Sequence, residues 1–166
     1  MNRAATIALV TTLALAGCGG GEAESSDEQE LQDGHYFGYI RSVDTSSTPA
    51  TIAFDGAEFL TGADGEQAAR DDGALAPGEP LSNDYYVRNP DRRPETLELA
   101  PDAGVTAVRC PTSCSEKNPG ELDAFLASFS REEPATLMDD YRGARSQYWI
   151  TVERGLVTQI DEQYVP

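Results

Sequence analysis

The sequence predicts an α+β fold, mainly antiparallel β: a small, partly closed barrel or curved sheet of about six to seven strands with one or two short helices. Three observations lead there. Short runs alternate in polarity and are bounded by Gly, Pro, Ser and Asp clusters, as half-buried strands are. No regular βαβ alternation and no internal repeat is present, so a doubly wound parallel sheet does not fit. Only two stretches carry helix signals.

The elements follow in order. From Gly34, the residues Tyr36, Gly38, Ile40 and Ser42 alternate with Phe37, Tyr39, Arg41 and Val43, a strand that is apolar on both faces at its start. Ser46-Ser47-Thr48-Pro49 makes a turn, and Thr51-Ile52-Ala53-Phe54-Asp55 returns as the second arm of an antiparallel hairpin. Thr61 is placed to cap a helix from Gly62 to about Asp72, with Asp64 near the positive end of the dipole and Gly73 as the stop. Ala76 to Pro80 is a loop. Asp84 to Asn89 then reads as a strand with Tyr85 and Val87 on one face, Tyr86 and Arg88 on the other.

Thr96 to Leu99 and Val105 to Arg109 give two more strands, with Pro101-Asp102-Ala103-Gly104 as the turn between them. Asn118 as cap and Pro119 at the first helical position predict a second helix, whose Leu122, Phe125, Leu126 and Phe129 share one face that covers the sheet. Tyr148 to Val152 and Leu156 to Ile160 flank Glu153-Arg154-Gly155, a short loop whose Gly can take positive φ.

The chain of 166 residues carries 12 basic and 29 acidic side chains, a net charge of −17. With a single Lys, Lys117, and scattered arginines, it lacks the basic footprint that a nucleic-acid backbone requires, and nucleic-acid partners are set aside. The hydrophobic fraction of 39% suffices for one domain with a modest core.

At the N-terminus, Arg3 precedes an apolar run from Ala4 to Ala14 that is well short of the roughly 20 residues a bilayer-spanning helix needs. It reads as a secretory signal peptide. Leu15-Ala16-Gly17-Cys18 resembles the lipobox of bacterial lipoproteins. That resemblance implies cleavage after residue 17 and a diacylglyceryl group on the Cys18 sulfur. Two acyl chains, at about 0.8 kcal/mol per buried CH₂, hold a protein on a membrane where one chain lets it go. The expected organisation is a signal peptide over 1–17, lipidated Cys18 with a flexible acidic tether over 18–33, and one β-rich domain over 34–166. The tether has one large apolar residue, six acids and a root-mean-square reach of roughly 20 Å. The expected location is the extracytoplasmic face of the cell membrane, with an outer membrane as the alternative.

Asn83 to Asn89 and Tyr148 to Pro166 are similar to a group of small secreted or lipid-anchored bacterial proteins of unassigned function. This resemblance implies a single domain over most of 34–166 and carries over no catalytic residue.

Catalytic chemistry finds few candidates. His35 is the only histidine, which leaves a nucleophile–base triad a single possible base and rules out His-rich zinc sites. Asp71-Asp72 and Asp139-Asp140 offer oxygen ligands but lie outside the EF-hand spacing, and read as solvated charge. Neither metal nor cofactor is expected. Cys110 and Cys114, an even pair once Cys18 is lipidated, predict a structural disulfide, since three intervening residues depart from the Cys-x-x-Cys redox pattern. Asp84, Tyr86, Arg88, Asn89 and Trp149 form the candidate binding surface, because rings beside a guanidinium and amides suit stacking and hydrogen bonding to a ligand. The expected function is a non-enzymatic, lipid-anchored module that binds a small ligand or an exported protein. The alternatives are an extracytoplasmic enzyme using carboxylates and tyrosines, or a passive envelope domain.

Overall fold

The structure is a computed structural model that describes residues 31–109, 116–130 and 142–165. Cys18, Cys110, Cys114 and Asp139-Asp140 lie outside the described residues. Gly34–Asp44 forms β1 and Thr51–Thr61 forms β2, an antiparallel hairpin in which Ile40 faces Phe54 and Val43 faces Ile52. The register shifts between Ile40 and Ser42, so Arg41 is a bulge residue that bends β1. Close approach of the two strands depends on Gly38, where a Cβ would collide with the Asp55 carbonyl oxygen and the Phe54 ring.

The far edge of β2 serves two partners. Its first half, Thr51 to Phe54, pairs with the start of β4 (Glu95–Arg109), and its second half, Glu58 to Thr61, pairs with β3 (Tyr85–Arg88). Gln147–Glu153 forms β6, antiparallel to β1, and Leu156–Gln163 forms β7, antiparallel to β6 and parallel to β4. The pairings therefore run from β1 through β2, β4, β7 and β6 back to β1, a partly closed ring of mostly antiparallel strands. β3 and β5 (Glu116–Gly120) flank it.

Two expectations are corrected here. Pro101 to Gly104 is no turn: β4 is one continuous strand, and this segment appears as a register shift against β7 between Leu99 and Gly104. Pro101, which has no N–H to give a ladder, falls in that gap, while Ala103 and Val105 keep the inward alternation of Leu97 and Leu99. Asn118 and Pro119 do not start a helix. They lie in β5, opposite Ala107 and Thr106, on an edge strand that tolerates a proline.

The second helix, α2, is Leu122–Ala127, continued by a 3-10 turn at Ser128–Ser130. Its apolar face is the one the spacing predicts. Phe125 is fully buried and meets Tyr148 edge to face at 5.6 Å, while Leu122, Leu126 and Phe129 pack against the same core. That core is built from Ile40, Ile52, Phe54, Leu97, Leu99, Val105, Tyr148, Ile150, Val157 and their neighbours. In the β6–β7 hairpin Arg154 (φ 54°) and Gly155 (φ 76°) both take left-handed backbone, the geometry of a tight I′ turn. Among the described residues no helix is long and apolar enough to cross a membrane.

The expected tether meets the domain before Gly34. Leu31 packs against the core cluster, the Gln32 carbonyl accepts the Tyr36 hydroxyl at 2.9 Å, and Asp33 accepts the Arg154 backbone N–H at 2.6 Å.

Candidate functional site

Between β2 and β3 lies α1, Gly62–Asp71. Thr61 stands at its N-cap with extended backbone, but its side chain makes no capping hydrogen bond, contrary to the expected cap. Gly65, Ala68 and Ala69 are buried, small residues that let the helix lie close to β2 and β3. Gly73 (φ 71°) ends it, leaving Asp72 at the C-cap beside β3.

At this junction the chemistry collects. The two residues placed on one face of β3 converge on Asp72: Tyr86 donates its hydroxyl to Oδ2 at 3.2 Å, and Arg88 donates to Oδ1 at 2.8 Å. Burial, reinforced by the negative charge that accepts its hydroxyl, holds the Tyr86 phenol above the ordinary tyrosine range. Asn89, the residue after β3, donates Nδ2 to Asp55 Oδ1 at 3.0 Å. Asp55 is 1% exposed and also accepts from Arg41 Nε at 2.9 Å, while the Arg41 guanidinium lies 4.2 Å from the centre of the Tyr39 ring. Because the amide nitrogen of Asn89 faces a carboxylate, its Oδ1 is fixed on the other side. There it is shut off from solvent without a hydrogen-bond partner.

These side chains border a polar cleft of roughly 410 Å³ whose walls include Tyr39, Asp72, Tyr86, Arg88, Asn89 and Arg92. A second cleft of roughly 400 Å³ shares Tyr39, Tyr86 and Val87 with the first, and is otherwise lined largely by apolar groups from Ala69, Leu75, Leu81 and Val165.

Of the predicted surface, Tyr86, Arg88 and Asn89 come together at this cleft, and Asp84 is exposed just before β3. Trp149 lies in a different cluster. Tyr148 points into the core, so its neighbour points out, where Trp149 stacks on His35 at 4.8 Å and packs against Phe37 and Phe59. Tyr39, Arg41, Asp55, Asp72 and Arg92 escaped the sequence reading. Tyr39 and Arg41 carried a signal, an aromatic and a cation spaced as strand neighbours; Asp72 looked like one more solvated acid. Among the described residues no group of three or more His, Cys, Asp or Glu is arranged to hold a metal ion.

No known protein family, curated protein or solved structure matches this chain. The functional reading therefore rests on the geometry of the clefts.

Proposed function

We propose that this protein is a lipid-anchored, extracytoplasmic binding module that takes a small ligand in the clefts between α1, β3 and Tyr39. The observation that carries the reading is a pair of adjoining clefts, one polar and one largely apolar, that share Tyr39, Tyr86 and Val87, with Arg92 at the polar end. The volume suits a small molecule. The signal sequence and Cys18 support anchorage, and the acidic stretch after Cys18 supports a domain held away from an anionic surface.

Native capture tests this. The folded domain is incubated with the small-molecule extract of the producing cell's envelope, freed of unbound solutes, and its released ligand read by mass spectrometry. A species retained by the native domain and lost from the folded Tyr39→Ala/Tyr86→Ala variant supports the reading. Retention of nothing, or equal retention by both proteins, overturns it.

A further inference from the structure

The two clefts differ in chemistry and share a wall. One presents Arg88, Arg92, Asn89 and Asp72; the other is lined largely by apolar groups from α1, the loop after it and Val165, with Tyr39, Tyr86 and Val87 common to both. A ligand lying across the shared wall would meet a polar environment at one end and an apolar one at the other.

The polar end further restricts the head group. Arg41 is paired with Asp55 and Arg88 with Asp72, whereas Arg92 makes no ion pair among the described residues. In a chain of net charge −17, that leaves one uncommitted cation at the cleft. One guanidinium matches one carboxylate in charge and in its paired acceptor geometry. With Asp55 and Asp72 neutralised by Arg41 and Arg88, the remaining guanidinium balances a monoanion but not a dianionic head such as a phosphate monoester.

We infer that the ligand is an amphiphilic carboxylic acid: a monoanionic head at Arg92 and a short apolar tail along Leu75 and Leu81. This rests on the ligand-binding reading above and adds the ligand's class.

Calorimetric titration of the folded domain with N-octanoylglycine tests it, with two comparisons. Its methyl ester removes the charge, and N-acetylglycine removes the tail. N-octanoylglycine is expected to bind at least tenfold more tightly than either. Arg92→Gln should weaken the acid at least fivefold and leave the ester unchanged; Leu75→Asp should weaken the acid while circular dichroism shows the fold intact. Equal affinity of acid and ester, indifference to Arg92→Gln, equal affinity of the acetyl compound, or no saturable binding of N-octanoylglycine each overturns the inference. If the captured native ligand is then a neutral or cationic molecule, the binding reading stands and only its class is wrong; if capture also fails, both fall.

Discussion

Asp55 accepts the Nδ2 hydrogen of Asn89 at 3.0 Å, tying the middle of β2 to the residue that leaves β3. The carboxylate is buried, whereas its cation, Arg41, has a side chain 43% exposed. This asymmetry predicts unequal mutants. Arg41→Met strands a buried carboxylate with one amide donor and should cost about 3 kcal/mol. Asp55→Asn lets Arg41 turn to water and keeps one acceptor, and should cost about 1 kcal/mol. Urea midpoints at constant m-value measure both; equal losses would show that Asp55 is not held by Arg41.

Tyr86 gives the site a pH dependence. Its phenol ionises later in the folded protein than in the unfolded chain, first because it is partly buried and second because Asp72 accepts its hydroxyl. A folded pKa raised above the unfolded one contributes stability that is fully present below the ordinary phenol value of about 10 and is lost as pH rises through the folded value. The stability advantage of the native protein over Tyr86→Phe should therefore be constant from neutral pH to about 10 and shrink above it. Paired denaturant titrations across that range measure it, and an advantage that grew with pH would reverse the assignment.

For the proposed anchor, the consequence is a change of compartment. Expressed in its own host, the native protein should partition into the detergent-rich phase of a phase separation, and Cys18→Ala should move it to the aqueous phase. Unchanged partitioning of the variant would remove the lipid from the proposal.

Local pattern made much of this fold legible. Alternation over Tyr36 to Val43, Thr51 to Asp55, Tyr148 to Val152 and Leu156 to Ile160 located four strands that build the ring, because each has one face on the core. The helical spacing of Leu122, Phe125, Leu126 and Phe129 found the face that covers it. What failed was judgement of turn chemistry against tertiary pairing. Pro101 and Gly104 read as a turn locally, yet β2, β5 and β7 all pair with β4, and those ladders hold it in one line. Three members of the candidate surface were visible because Tyr86 and Arg88 sit on one short strand and Asn89 directly follows it. Their partners Asp72 and Asp55 were not, since pairing over 14 to 34 residues depends on where α1 ends and how β3 folds back.

On the far side of the ring, Glu162 is 1% exposed and divides its two oxygens between the Val108 backbone N–H at 2.9 Å and Arg142 Nε at 3.0 Å. Glu162→Gln keeps the volume and removes an acceptor, so its amide N–H₂ must face one of those donors. A loss of about 2 to 4 kcal/mol is expected, from the unsatisfied donor and the broken ion pair together. Hydrogen exchange should localise the change, with the Val108 amide losing protection more than that of Ile52. Uniform loss of protection, or none, would contradict the local role.

The domain boundary can be tested by truncation. Leu31 packs against the core cluster, and Asp33 accepts the N–H of Arg154, a non-glycine residue held at φ 54° in the β6–β7 turn. A domain beginning at Leu31 should match the stability of one beginning at residue 19, since nothing upstream is needed to make these contacts. One beginning at Gly34 should be weaker by about 1 to 3 kcal/mol, from the apolar area of Leu31 and the hydrogen bond of Asp33. Asp33→Ala alone should account for about 1 kcal/mol and should also speed exchange of the Arg154 amide. Equal stability of all three truncations would return residues 31–33 to the tether and leave the turn to hold Arg154 unaided.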